Sequence, residues 1–257
     1  MTVELAFSEI GDGPPLVILH GLFGSKRNWS SIAKQLADSR RVITVDLRNH
    51  GASPWSPVHD YPALASDVTR LVETRLGGRA AVLGHSMGGK AAMMLALERP
   101  ELVERLVVVD IAPAPSPGSS REFLRAMMAV PLAECSRRGD VEAALAADVP
   151  DAAVRSFLVA NIVARPDGLA WGVNLEAIAD HIDAIMDFPD VPDGRAFTGP
   201  VLVLAGGRSP YVQPHHATMI NRLFPAARVE TIPEAGHWLH ADAPAAFLEA
   251  VRVFLQA

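Results

Sequence analysis

Four stretches carry residue types able to do acyl-transfer chemistry. Ser86 lies in Ala80–Lys90, which reads Ala-Ala-Val-Leu-Gly-His-Ser-Met-Gly-Gly-Lys. An apolar run precedes this G-x-S-x-G pattern and a run of Ala, Met and Leu up to Leu97 follows it. A serine on a sharp strand-to-helix turn is lifted clear of the sheet as a nucleophile. The chain passes itself closely at such a turn, so a side chain at Gly84 or Gly88 would clash. The turn also aims the first amides of the next helix, beginning with Met87 N–H, at the group under attack. A serine alcohol needs a base, and His237 follows Gly236 on a loop after the last apolar run, where its ring is free to face a site. The base needs an acid behind it. Asp110 ends the apolar, β-branched run Arg105–Val109, and a buried carboxylate there costs several kcal/mol unless it is paired, as a histidine N–H would pair it. The fourth stretch, His20-Gly-Leu-Phe-Gly-Ser25, leaves another apolar run. It offers a second amide for a developing oxyanion: Leu22 N–H, with Phe23 N–H as the neighbouring alternative. His20 reads as a structural hydrogen-bonder.

The elements that must position these groups alternate between strand and helix patterns. Thr2–Ile10 reads as an edge strand, and Leu16–Leu19, Arg41–Val45, Ala80–Gly84, Arg105–Val109, Val201–Ala205 and Arg228–Ile232 as buried strands. Asn28–Leu36, Ala63–Leu76, Ala91–Leu97, His215–Phe224 and Pro244–Leu255 read as helices. Asp46 and Arg48 are expected to hold the loop after the third strand by a local ion pair. Between residues 114 and 197 the texture changes: prolines cluster at both ends and the stretches between them have helical spacing with no strand-like run. This predicts an α/β core over 1–113 and 198–257 with a helical cap inserted at 114–197. Phe23, Phe123, Met127, Phe157, Trp171, Leu175, Ile178, Tyr211 and Trp238 are candidates for the wall of a substrate pocket. The repeated alternation argues for a mainly parallel sheet with helices on both faces.

Composition narrows the partners. The 257 residues are 49% apolar and 20% charged, with a net charge of −6. That is ordinary for a globular protein and offers no polyanion-binding surface, so no nucleic-acid partner is expected. Cys135 is the only cysteine, which excludes an internal disulfide and fits a reducing cytoplasm. Met1–Gly13 lacks the basic start and apolar core of a signal peptide, and no apolar run reaches the roughly 18 residues of a membrane span. His215, His216, His237 and His240 lack an H-E-x-x-H type motif, so no metal is expected. Oligomeric state has no signature here.

The chain order Ser86, Asp110, His237 is that of an α/β hydrolase. Together with Asp46-Leu-Arg-Asn-His-Gly51, Gly84-His-Ser-Met-Gly-Gly-Lys90, Asp110-Ile-Ala-Pro113 and Gly207-Arg-Ser-Pro-Tyr211, it makes the chain resemble the α/β-hydrolase superfamily over essentially its whole length. It is similar in particular to a group of small acyl esterases and thioesterases. The resemblance implies an eight-stranded-type sheet and cofactor-free hydrolysis of short to medium acyl esters, with acyl-CoA thioesters as an option. One departure stands out. Many members take their acid from the loop after the penultimate strand, but Gly206-Gly-Arg-Ser209 holds no carboxylate. Asp110 is the natural substitute, a position the resembled group uses. Asp46 and the cap carboxylates Glu176 and Asp183 compete with it, Glu176 foremost. Carbon–carbon bond hydrolysis or cofactor-free peroxidation would use a similar triad, and a non-catalytic small-molecule receptor could keep the same scaffold.

Overall fold

The computed structural model describes residues 1–256. In chain order its elements are β1 (Phe7–Ile10), β2 (Pro15–Leu19), α1 (Ser30–Leu36), β3 (Arg41–Val45), α2 (Tyr61–Arg75), β4 (Ala80–His85), α3 (Met87–Glu98) and β5 (Val103–Val109). Next come α4 (Ser120–Ala129), α5 (Arg138–Leu145), α6 (Ala152–Val159), β6 (Ile162–Arg165), β7 (Gly168–Trp171) and α7 (Leu175–Met186). The chain closes with β8 (Val201–Gly206), α8 (Ala217–Leu223), β9 (Ala227–Ile232), α9 (Leu239–Asp242) and α10 (Pro244–Gln256).

Seven strands form the main sheet in the order β1-β3-β2-β4-β5-β8-β9. Only β1 runs antiparallel to its neighbour; the other pairings are parallel. The central strands are apolar throughout because both faces are covered. Alternate residues of β4 part accordingly: Ala80 and Val82 pack on the side of α2 and α3, Ala81 and Leu83 on the side of α1 and α10. The register aligns the carboxyl ends of the middle strands, pairing Leu19 with Gly84, His85 with Val109, Val109 with Leu204 and Gly206 with Ile232. Loops leaving these ends therefore converge on one rim, where ligands bind in open α/β sheets.

Four sequence expectations need correction. The sheet has seven strands among the described residues, not eight, and only Phe7–Ile10 of the expected first strand is paired. The backbone before it is satisfied elsewhere: Val3 N–H by Asp67, Ala6 N–H by Ser53 Oγ, and Ala6 C=O by Asp46 N–H. The segment expected to be all helix contains the antiparallel hairpin β6–β7. Its turn, Arg165-Pro-Asp-Gly168, has the composition that favours tight reversal, and Gly168 takes φ +128°. Asp46 and Arg48 do not pair with each other. Asp46 pairs with Lys26 and accepts the amides of Lys26 and Ala52. Arg48, fully buried, forms a bidentate pair with Asp67 at 2.6 and 2.7 Å and also donates to the carbonyls of Val58 and Met1.

Residues 120–186 bury their own apolar cluster, which includes Leu124, Met127, Leu158, Trp171 and Ile178 and takes in Phe23 from the core. Polar contacts at its far end join it to the sheet domain. Tyr61 Oη donates to Ile185 C=O at 2.6 Å, and the buried Lys90 ammonium donates to Met186 C=O at 3.2 Å and Asp187 C=O at 2.7 Å. These donors satisfy carbonyls at the carboxyl end of α7, where no intrahelical partner remains.

Two stability predictions follow from buried charge. Arg48→Met strands the Asp67 carboxylate, so equilibrium urea unfolding is expected to show a loss of about 3–5 kcal/mol, with much of it recovered in Arg48→Met/Asp67→Leu. Burial also holds His59 down to about 3 and His240 to about 4, against an ordinary 6.5. Between those values and 6.5 the unfolded chain binds a proton that the folded chain does not. Stability is therefore complete above about pH 6.5 and falls as the pH drops toward 4, by on the order of 3 kcal/mol for each such histidine. Calorimetry is expected to show Tm falling steeply from pH 7 to pH 4; a flat Tm contradicts this account.

Candidate active site

Ser86 sits between β4 and α3 with φ +52° and ψ −119°, a conformation that non-glycine residues avoid. Its N–H donates to Val109 C=O at 3.0 Å and its C=O accepts from Lys90 N–H at 3.0 Å, so the strained turn is fixed from both sides. Crowding explains the flanking glycines. A Cβ on Gly84 would lie 2.2 Å from Gly88 O, and one on Gly88 would lie 2.5 Å from both Leu19 O and His20 O. The other non-glycine residues with positive φ are Phe23, Asn49 and Asp110. All four follow the carboxyl ends of adjacent strands, Asn49 after β3, Phe23 after β2, Ser86 after β4 and Asp110 after β5. Such strain costs of order 1–3 kcal/mol per residue and persists only where the surroundings overdetermine it.

Asp110 is fully buried. Its Oδ2 lies 2.7 Å from His237 Nδ1 and accepts from Ser209 Oγ, while Oδ1 accepts from Gly206 N–H at 2.9 Å. The end of β8 and the loop after it therefore supply hydrogen-bond donors to the Asp110 carboxylate, and no carboxylate of their own. Ser209 is a participant that the sequence reading passed over; a hydroxyl in the carboxylate-free loop was the signal. The competing carboxylates are committed elsewhere: Asp46 to Lys26, Asp183 to Arg121 at 2.7 Å, and Glu176 to a separate surface depression with Trp55, Asn174 and Asp180. The His237 ring stacks on Tyr211 with centroids 3.9 Å apart, and its carbonyl accepts from His85 Nε2 at 2.8 Å. His85 precedes Ser86, so one contact ties the Ser86 turn to the His237 loop. Burial keeps the His85 pKa well below the usual imidazole range, leaving it a neutral donor. With Nδ1–H of His237 given to Asp110, Nε2 is the nitrogen left to act as base.

The loop after β2 crosses the serine. A Cβ on Gly21 would come within 3.3 Å of Ser86 Cβ and 3.0 Å of His85 Nδ1. Leu22 N–H and Met87 N–H have no acceptor among the described residues. Phe23 N–H is engaged by His50 Nε2 at 3.2 Å, which removes the Phe23 alternative as an oxyanion donor. His20 Nε2 accepts from Leu47 N–H at 3.0 Å, so Nδ1 carries the proton and donates to Gly21 C=O at 2.8 Å.

Ser86 and His237 open onto one cavity of about 520 Å³, within the range that holds a drug-sized ligand. Of the expected pocket residues, Phe23, Phe123, Phe157, Tyr211 and Trp238 line it, beside Leu22. Met127, Trp171, Leu175 and Ile178 do not: they fill the interior of the cap cluster, where Trp171 Nε1 donates to Met127 C=O at 3.2 Å. Helical spacing alone does not reveal which apolar stripe faces a cavity and which faces a neighbouring helix. Val154 and the aromatic pair Trp29 and His240, stacked 4.2 Å apart, were not anticipated as wall residues. His215 and His216 lie outside this lining, in the turn before α8, where His216 Nδ1 accepts from Gln213 N–H at 3.1 Å.

Comparison with known proteins agrees with this geometry. A family model described as alpha/beta hydrolase fold matches residues 14–244. A Mus musculus protein named sn-1-specific diacylglycerol lipase ABHD11 is 48% identical over 94% of this chain and 81% of its own length. Esterase YbfF of Escherichia coli (strain K12) is 36% identical over 94% of this chain and 92% of its own. A solved structure titled marine microorganism esterase superposes with a TM-score of 0.94 at 35% identity, covering 98% of this chain and all of that one. The chain belongs to the α/β-hydrolase family, among its carboxylic ester hydrolases.

Proposed function

We propose that the protein hydrolyses short to medium-chain acyl esters through a covalent acyl-enzyme on Ser86, with His237 as general base and Asp110 as its orienting acid. The observation that carries this reading is the 2.7 Å contact between His237 and the buried Asp110, on the same cavity as a serine held at φ +52°. His237 Nε2 takes the Ser86 proton as Oγ attacks the ester carbonyl. Asp110 keeps Nδ1 protonated and stabilises the imidazolium that forms. Leu22 N–H and Met87 N–H receive the oxyanion; one such donor is worth about 10²–10³ in rate. His237 then gives its proton to the departing alcohol or thiol, and water discharges the acyl group by the reverse sequence. Residues 114–197 act as the cap over the acyl chain, with Phe123, Val154, Phe157 and Trp238 as its wall. The name carried by the Mus musculus relative adds diacylglycerol to the substrates worth testing.

Turnover of a chain-length series of nitrophenyl esters, CoA thioesters and a diacylglycerol identifies the substrate class. Ser86→Ala is expected to lose about 10⁶ in kcat on every member that the wild type cleaves; equal rates in the two proteins mean that another group is the nucleophile. Asp110→Asn is expected to lower kcat by about 10⁴ by releasing the wrong imidazole tautomer, while Glu176→Gln leaves it unchanged. The opposite pattern would move the acid into the cap.

A further inference from the structure

The Phe23 peptide units are held from two directions by side chains to which no role has yet been given. From the loop after β3, His50 Nε2 accepts the Phe23 N–H at 3.2 Å. His50 Nδ1 donates to Arg48 C=O at 2.9 Å, which fixes the tautomer that leaves Nε2 free to accept. From the cap, Asn161 Nδ2 donates to Phe23 C=O at 2.7 Å. Phe23 is itself at φ +60° and buried, so its conformation is one that external contacts have to maintain. Its N–H belongs to the peptide unit whose carbonyl is that of Leu22, and Leu22 N–H lies one unit earlier. The orientation of the Leu22–Phe23 unit fixes one side of the Leu22 dihedrals that aim the proposed oxyanion donor.

Asn161 is placed to report on the cap. Its Nδ2 also donates to Leu158 C=O at 3.1 Å, at the end of α6, and its own C=O accepts from Gly172 N–H at 2.8 Å, beyond β7. It is thus the corner joining α6 to the hairpin. The same α6 presents Ala153, Val154 and Phe157 to the cavity. One short chain of contacts leads from the acyl wall through Asn161 to the oxyanion loop. His50 makes a second link, since it pairs with Val173 of the cap across an isolated bridge.

We propose that Asn161 and His50 are positioning residues that set the Leu22 amide from the cap and from the core, so that the oxyanion hole is complete only while the cap is seated. This rests on the reading of Leu22 as an oxyanion donor. The two side chains touch no reacting atom. They act through the Phe23 peptide, and their loss weakens transition-state binding while leaving ground-state binding in place.

The experiment compares wild type, Asn161→Ala, Asn161→Asp, His50→Leu and His50→Gln on a nitrophenyl ester that the wild type cleaves. It measures kcat, KM and the inhibition constant of a trifluoromethyl ketone, whose adduct with serine carries an oxyanion. Asn161→Ala, Asn161→Asp and His50→Leu are expected to lower kcat about 10–100-fold, short of the loss of a whole donor, with KM within about threefold, and to weaken the ketone by the same factor as kcat. His50→Gln, which keeps an acceptor, is expected to recover most of the loss. Kcat unchanged in Asn161→Ala, or lost with no change in ketone affinity, overturns the proposal. Asn161 is buried less completely than His50, at 9% against 0% exposure, and the near-isosteric Asn161→Asp decides the matter if the other variants do not fold. Ser86→Ala separates the two levels: full turnover there removes the underlying reading and the positioning role with it, whereas its loss beside an unaffected Asn161→Ala removes the positioning role alone.

Discussion

A carboxylate with no access to solvent must be met by hydrogen-bond donors, and the placement of Asp110 organises much of the rim around that need. Three elements answer it. The Gly206 amide comes from the end of β8, the Ser209 hydroxyl from the loop after it, and the His237 ring from the loop after β9. Because β5, β8 and β9 are adjacent and in register, these donors reach one carboxyl group without distorting the sheet. The acid is strained as well as buried, at φ +50°. Its backbone is held separately, by the Asp110 N–H donated to Leu204 C=O at 2.8 Å.

The remaining loops are locked by neutral histidines. His20 belongs to the loop after β2 and accepts an amide from the loop after β3; His50 belongs to the loop after β3 and accepts an amide from the loop after β2. The two rings lie 5.0 Å apart and fix both loops reciprocally. His85 performs the same service between the serine turn and the His237 carbonyl. Each needs one nitrogen bare or one N–H uncontested, and each is held below its ordinary pKa chiefly by burial. Imidazole suits the task because the neutral ring carries both a donor and an acceptor, and burial favours that neutral form.

Much of this was legible in the chain. The parallel sheet followed from alternating strand and helix patterns, and Gly84 and Gly88 announced a close backbone crossing that the structure contains. Local signals failed where long-range partners competed. Asp46 and Arg48 are two residues apart, but their side chains point away from each other to Lys26 and Asp67, which lie about 20 positions distant in sequence. The cap hairpin had a signature at Pro166-Asp-Gly168, yet the helical spacing on either side masked it.

What the sequence by itself determined was which residues are candidates for acyl-transfer chemistry and their order along the chain. A serine between crowded glycines, an acid ending a buried strand and a histidine on a terminal loop are local facts, set by backbone sterics and by the cost of burying charge. Only the tertiary structure decided which carboxylate lies behind His237, that Phe23 N–H is already engaged, and which apolar cap residues face the cavity. Those depend on what each side chain meets from elsewhere in the chain. Met127 and Phe157 look alike as residues on amphipathic helices; one meets the cap's own core and the other meets open space.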